Sequence, residues 1–163
     1  MFCTGDKVVH PMHGAGVIDG VVKEKVGSSV QEYYVFKMSV GGLVLKIPVA
    51  TSHLVGLRNI VSAGSALELL QTIPDLEVDV VSNWNQRYRE NMQKLKSGDL
   101  YEVAKVIKGL IVRDRQRGLS NGERKMLHTA KQILISEMVL SMDQEYHSIE
   151  RQVDAAMAGE KAG

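Results

Sequence analysis

Apolar and polar positions alternate in short runs along the first third of the chain. The runs are "DKVVHP", "GAGVIDGVVKEKV", "VQEYYVFKM" and "GLVLKIPV", and the later ones are separated by Gly27-Ser28-Ser29 and by Gly41-Gly42. Because a period of two is typical of half-buried strands, the pattern predicts four or five short strands with no intervening helix. Strands joined in this way favour a small, barrel-like sheet over residues 1–58.

The fourth run has two distinct faces. Val44 and Lys46 point to one side, which we expect to be the outer one, while Leu43, Leu45 and Ile47 point to the other. Pro48 then limits further pairing, which indicates an end or edge strand. An edge strand offers unpaired backbone groups to a partner chain.

From about residue 62 the apolar spacing changes to that of helices. The pattern predicts a short helix opened by a capping box at Ser65–Glu68 and stopped before Pro74, followed by helices over about 83–96, over about 99–117 and after Ser120. A second capping box, Ser120–Glu123, opens the last of these. We therefore expect an α+β protein with a helical domain over residues 62–157 and a frayed tail at 158–163.

One predicted helix shows a clear apolar stripe. Residues Leu100, Val103, Ile107 and Leu110 recur at helical spacing and are expected to be buried. The same spacing turns the basic side chains of this helix toward water, and these are Lys105, Lys108 and Arg115.

The amino-acid composition limits the classes of protein to which the chain can belong. A chain of 163 residues with 44% hydrophobic residues can bury a core, and charges interrupt its apolar stretches before the roughly 18 residues of a spanning helix. The single cysteine, Cys3, cannot form an internal disulfide. We expect a cytoplasmic protein without an N-terminal signal segment.

The net charge of +1 conceals a strongly basic block. Residues 82–135 hold 12 lysines and arginines against 5 acids, whereas residues 61–81 and 136–163 are both acidic. A local charge of this size indicates an anionic partner such as nucleic acid, or else a solvated helical surface.

Residues that could support catalysis or metal binding are few. His10 and His13 have no further spaced ligands, so turn side chains are the favoured interpretation and no metal or cofactor is expected. Cys3 lacks a neighbouring base. The glycines at 14, 16 and 20 miss the dinucleotide-binding spacing and are predicted to be turn and bulge residues. We do not expect an enzyme.

Trp84, the only tryptophan, lies in the first turn of a predicted helix. On a helical wheel it continues the apolar stripe of Tyr88, Met92 and Leu95, which favours packing in the core. A position beside a helix N-terminus, flanked by Arg87, also suits an apolar wedge against a nucleic acid. The residues alone leave both interpretations open.

A second basic group lies at the start of the third long helix. Arg124, His128 and Lys131 share a face, and Lys125 is one step round. These side chains suit salt-sensitive contacts with phosphates that do not depend on base sequence, or an ordinary wet surface.

Four stretches together resemble the CarD/CdnL-like bacterial transcription regulators over residues 2–157. They are "GDKVVHPMHGAG", "EYYVFKM" with "GGLVLKIPV", "NWNQRYRENMQKLKSGD", and "RDRQRGLSNGERKMLHTAKQIL". The resemblance implies a non-enzymatic partner of RNA polymerase. Its N-terminal domain would be a Tudor/SH3-like barrel that docks on the β subunit, and its helical domain would lie on promoter DNA.

The resemblance also implies roles for individual residues. Trp84 matches a tryptophan that wedges into the minor groove at the upstream edge of the transcription bubble, which reverses the preference for the core. The expected DNA-binding residues are Trp84, Arg87, Arg89, Arg124, Lys125 and Lys131, and the expected polymerase-binding residues are Lys46, Lys25 and Val44. The protein is expected to be a monomer that associates with the nucleoid through polymerase.

Two positions depart from the family pattern. Thr129 stands where a DNA-contacting lysine can occur, and Glu24 stands where an arginine can help polymerase docking. The alternative hypothesis is a DNA-binding repressor or architectural protein that acts without polymerase.

Overall fold

The computed structural model describes residues 1–78 and 83–159, and its α+β architecture confirms the predicted fold class. A five-stranded antiparallel sheet comes first and helices follow it. The last four residues of the predicted frayed tail lie outside the described part of the chain. None of the described helices has the length and apolarity needed to cross a bilayer.

The first four strands of the sheet form consecutive hairpins, and the fifth pairs with the first. Its strands are β1 (Lys7–His10), β2 (Gly14–Val26), β3 (Ser29–Met38), β4 (Val44–Pro48) and β5 (Arg58–Asn59), in the spatial order β4-β3-β2-β1-β5. Gly41 and Gly42 both have positive φ, which confirms the predicted β3–β4 hairpin. The register of β2 against β3 shifts between Ile18 and Gly20, which confirms the predicted bulge.

The connection that follows β4 differs from the prediction of strands with no intervening helix. A 3₁₀ turn (Val49–Thr51) and a short helix, α1 (Ser52–Val55), separate β4 from β5. Proline ends the β4 ladder, and Gly56 closes α1 with a φ of 92°. As predicted, β4 is at one end of the sheet.

The core of the sheet comes from alternate positions on its strands. Its buried members are Val8, Ile18, Tyr34, Phe36, Met38, Ile47 and Leu57. Because neighbouring positions on each strand face the other way, residues such as Lys46 stand on the outer face, as predicted. One face of the sheet is thus available for contacts outside the domain.

In the described part of the chain, five further helices follow, which are α2 (Ala63–Thr72), α3 (Trp84–Lys96), α4 (Leu100–Arg117), α5 (Asn121–Met142) and α6 (Tyr146–Met157). Asn83, Asp99 and Ser120 cap α3, α4 and α5 with their side chains. The predicted cap of α2 is wrong by one turn. Ser62 is extended and accepts the Ser65 N–H at 3.1 Å, so the helix begins at Ala63.

The predicted stripe of α4 is confirmed, since Leu100, Val103, Ile107 and Leu110 are all buried. The prediction for Lys108 is wrong. Its ammonium donates to the carbonyls of Ile73, Pro74 and Leu76 at 2.7 to 3.0 Å, where a short 3₁₀ turn (Ile73–Asp75) ends. The Ile73 carbonyl also accepts the Leu76 N–H, and the ammonium of Lys108 is a further donor at this turn, so Lys108 links α4 to the end of the α2 segment.

The sheet and the helices meet along α5. The Ala15 N–H donates to the Ser136 hydroxyl at 2.9 Å, and a Cβ at Gly14 would collide with that hydroxyl. Nearby, the guanidinium of Arg58 binds the fully buried carboxylate of Glu137. Helix α5 therefore belongs to the helical core and also docks directly against β2 and β5.

Candidate nucleic-acid interface

Trp84 lies at the surface although it continues an apolar stripe. Leu95 is buried, and Tyr88 and Met92 are half-buried against the helical core, whereas Trp84 is 43% exposed. The rings of Trp84 and Tyr88 stack with centroids 5.0 Å apart and an interplanar angle of 18°. One face of the indole is thus supported by the helix below it, and much of the ring is left in solvent.

The start of α5 supports the indole from the side. The Trp84 Nε1–H donates to the Ser120 hydroxyl at 3.1 Å. A Cβ added at Gly122 would lie 3.8 Å from Cζ2 of the indole and 3.7 Å from the ring of Tyr88. The first turns of α3 and α5 therefore meet beside the exposed ring.

Arg87 does not share the exposure of Trp84. It is 8% exposed, and its guanidinium binds the carboxylate of Glu123 with Nε to Oε2 at 2.8 Å and Nη2 to Oε1 at 3.2 Å. The hydrogen bond and charge of Arg87 hold the pKa of Glu123 below its usual value. This buried pair joins α3 to α5, so Arg87 is placed as a structural link between helices and not in the exposed surface where we predicted it.

The other predicted cations divide into two groups. Arg89, Arg124 and Lys125 are exposed, the last two in the first turn of α5 beside Gly122. Lys131 shares their helix, but its ammonium binds Asp154 of α6 at 3.0 Å. The structure brings Trp84, Arg124 and Lys125 to one end of the helical domain and places Lys131 against α6.

The N–H groups of two helix starts add to the positive potential there. The α3 and α5 N-termini begin at Trp84 and Asn121, and their caps leave first-turn N–H groups without helical partners. Such N–H groups and the helix dipole favour phosphate oxygens. An exposed apolar ring beside two helix N-termini and the exposed cations Arg124 and Lys125 can bind a nucleic-acid backbone and pack against a base.

The second predicted surface is the outer face of β4. Val44 and Lys46 both project there, and Val44 is 53% exposed. Lys46 forms an ion pair with Glu24 across the intervening strand β3. Lys25 follows Glu24 on β2 and points to the opposite face, because side chains alternate along a strand. The structure therefore separates Lys25 from Val44 and Lys46.

His10 has a structural environment, as the turn interpretation predicted. Its Nδ1 accepts the N–H groups of Met12 and His13 at 3.0 and 3.3 Å. Burial, and next the charge of His13, lower the pKa of His10 to about 4. Within residues 1–78 and 83–159, no three His, Cys, Asp or Glu side chains are grouped as metal ligands.

Sequence reasoning missed the links between α3 and α5. Ser120 and Glu123 were predicted as a capping box, and the box is present, since Ser120 Oγ accepts the Glu123 N–H at 3.2 Å. Their further contacts with Trp84 and Arg87 join residues 36 positions apart. A capping pattern carries no information on such distant partners.

Comparisons with known proteins cover most of the chain. Residues 2–61 match the CarD-like/TRCF RID domain, and residues 68–154 match the CarD C-terminal domain. A protein of Bacillus subtilis (strain 168) named "Putative transcription factor YdeB" is 33% identical over 138 residues, which are 85% of this chain and 90% of that protein. The two matched domains correspond to the sheet and to the helical part. The chain therefore belongs to the CarD family of transcription factors.

Proposed function

We propose that this protein binds the β subunit of bacterial RNA polymerase through the outer face of its sheet and stabilises the open promoter complex. Trp84 would wedge into the minor groove at the upstream edge of the bubble. The observation that carries the proposal is the exposed indole of Trp84. Tyr88 stacks on one face of this ring, and the Ser120 hydroxyl binds its N–H. An apolar ring fixed at the surface is ready to pack against an unstacked base step.

Charge around Trp84 supports contact with the DNA backbone. Arg124 and Lys125 are exposed in the first turn of α5, Arg89 is exposed farther along α3, and the two helix N-termini offer backbone N–H groups. We expect these groups to bind phosphates without reading bases, so binding will weaken steeply as salt concentration rises. We leave Arg87 out of this surface because its guanidinium is buried against Glu123.

The outer face of β4 supports docking on polymerase. This strand is at one end of the sheet, where backbone groups lack a neighbouring strand, and Val44 and Lys46 project from it. A partner strand could pair with that edge while its side chains contact Val44 and Lys46. Docking would raise the local concentration of the helical domain at the promoter, so weak DNA contacts would suffice.

The wedge acts through a difference in affinity between two DNA states. If the indole binds DNA at the edge of the melted region with higher affinity than it binds closed duplex, it shifts the equilibrium toward the open complex. A ring that bound both states equally would shift nothing. The measurement must therefore follow the lifetime of the open complex and not DNA affinity alone.

The test compares open-complex lifetimes with wild type, Trp84→Ala and Leu67→Ala. Leu67 on α2 is also 43% exposed, so its variant controls for loss of an exposed apolar side chain. We expect Trp84→Ala to shorten the lifetime and Leu67→Ala to leave it unchanged, with equal polymerase binding by all three. Equal open-complex lifetimes for wild type and Trp84→Ala would contradict the proposed wedge role of Trp84.

A second measurement separates this proposal from action without polymerase. We expect the full chain to retain the β subunit in a pull-down and Lys46→Glu to lose it, because the variant would place two glutamates together on the docking face. Tight sequence-specific DNA binding by the free protein, with no polymerase retained, would favour the alternative of a repressor or architectural protein.

A further inference from the structure

The hydroxyl of Ser120 makes three hydrogen bonds at the junction of α3 and α5. It accepts the Nε1–H of Trp84 at 3.1 Å and the backbone N–H of Glu123 at 3.2 Å, and it donates to Oε1 of Glu123 at 3.3 Å. A serine hydroxyl has one proton to donate and two lone pairs to accept with. All three are used here, so the hydroxyl has one defined orientation.

Glu123 is what orients the Ser120 proton. An ionised carboxylate only accepts hydrogen bonds, so the Ser120 O–H must point to it and both lone pairs remain for N–H groups. The carboxylate is 2% exposed and its two oxygens are both bound by the Arg87 guanidinium. Arg87, Glu123 and Ser120 thus form a chain of polar contacts that ends at the indole.

We propose that Ser120, oriented by the Arg87–Glu123 pair, is the positioning residue for Trp84, and that it engages the indole N–H in a hydrogen bond within the protein so that the ring offers DNA its apolar surface. This inference rests on the proposed wedge function. Its physical basis is that an indole has a single N–H, and the Ser120 hydroxyl accepts it.

Withholding the indole N–H has a consequence for base recognition. Direct readout in the grooves depends on hydrogen bonds to base edges, whereas stacking tolerates every base because each has a π face. Trp84 would therefore support the bubble edge through stacking alone. Such a contact suits a regulator that meets promoters of different sequence at one position.

The fluorescence of the free protein tests the positioning directly, because Trp84 is the only tryptophan in the chain. We compare wild type with Ser120→Ala and Ser120→Thr, and with Ser62→Ala, which removes an equivalent serine cap from α2. With Ser120→Ala we expect acrylamide quenching to rise about twofold and anisotropy to fall, because the ring gains rotamer freedom. Ser120→Thr keeps the hydroxyl and should restore both values, and Ser62→Ala should leave them as in wild type.

Open-complex lifetime then connects positioning with function. We expect Ser120→Ala to shorten the lifetime, Ser120→Thr to restore it, and Ser120→Ala to have no further effect in a Trp84→Ala background. Unchanged quenching and anisotropy in Ser120→Ala would overturn the positioning role and leave the wedge proposal standing. Altered fluorescence together with no effect of Trp84→Ala on lifetime would overturn the wedge instead.

Discussion

The carboxylate of Glu137 accepts both arms of the Arg58 guanidinium, at 2.8 Å from Nη1 and 2.7 Å from Nη2, and also accepts the Val61 N–H at 2.8 Å. Glu137 is in the second half of α5 and is fully buried, whereas Arg58 is in β5 and its side chain is 28% exposed. The contact joins the sheet to the helical domain through charge and not through apolar packing alone.

Removing Arg58 should therefore destabilise the whole chain. Arg58→Ala leaves a buried carboxylate without its cation, and we expect the free energy of unfolding to fall by about 3 kcal/mol. Denaturant unfolding of Lys46→Ala is the matched control, because its pair with Glu24 is exposed and should contribute less than about 1 kcal/mol. Equal losses in the two variants would contradict the role assigned to burial.

Lys108 offers a second test of a polar contact within the helical domain. Lys108→Met keeps most of the apolar stem but removes the ammonium that three carbonyls share, and we expect a loss of about 2 kcal/mol in unfolding free energy. Lys105→Met, one turn earlier on α4, removes only a 3.4 Å pair with Glu102. A Lys108 variant as stable as the Lys105 variant would show that water replaces the ammonium at no cost.

Two glycines of β2 should respond differently to an added methyl group. A Cβ at Gly16 would collide with the carbonyl oxygen of Lys37 on β3, whereas a Cβ at Gly20 meets nothing within 4 Å. Gly16→Ala should lower the thermal midpoint by several degrees, because the strands must separate locally. Gly20→Ala should leave it unchanged or raise it, and a larger loss there than at Gly16 would contradict the packing.

His10 predicts a fall in stability under mildly acidic conditions. Its pKa is about 4 in the folded chain and near its ordinary value of 6.5 when unfolded, so the unfolded state takes up a proton first as the pH falls. The contribution of His10 is therefore complete above pH 6.5 and is lost progressively down to about pH 4.

The check is a series of denaturant unfolding curves across that pH window. The side-chain oxygen of Asn can still accept backbone N–H groups. We therefore expect the free energy of unfolding of His10→Asn to fall less than that of wild type as the pH is lowered through this window. Substitution of the exposed His53 by Gln controls for the removal of a histidine charge, because His53 does not contribute to the pKa of His10. Parallel pH curves for wild type and His10→Asn would exclude His10 as the source.

Patterns of local origin were predictable from the sequence. The cap of α5, the stripe of α4 and the β3–β4 hairpin depend on residues within a few positions of one another, and their prediction is confirmed. The cap of α2 was misplaced because Ser62 and Ser65 are both good caps one turn apart, and the backbone selects between them.

Features that depend on distant partners could not be predicted in this way. Arg87, Lys108 and Lys131 all look like solvated cations on a helical wheel, yet each binds a group on another element. Periodicity assigns a side chain to a face but does not say what packs on that face. The exposure of Trp84 could not be predicted either, because the position of its ring depends on contacts with Tyr88 and with Ser120, which is 36 positions away.

Helix α5 is a continuous spacer between the Trp84 surface and the sheet. Gly122, in its first turn, lies against Trp84, and Ser136 and Glu137 hold the sheet. At 1.5 Å per residue, these contacts are about 20 Å apart along one continuous helix. In the proposed complex, this helix would hold Trp84 at a set distance from the sheet that docks on polymerase, so the protein would act at one position on the promoter and not over a range.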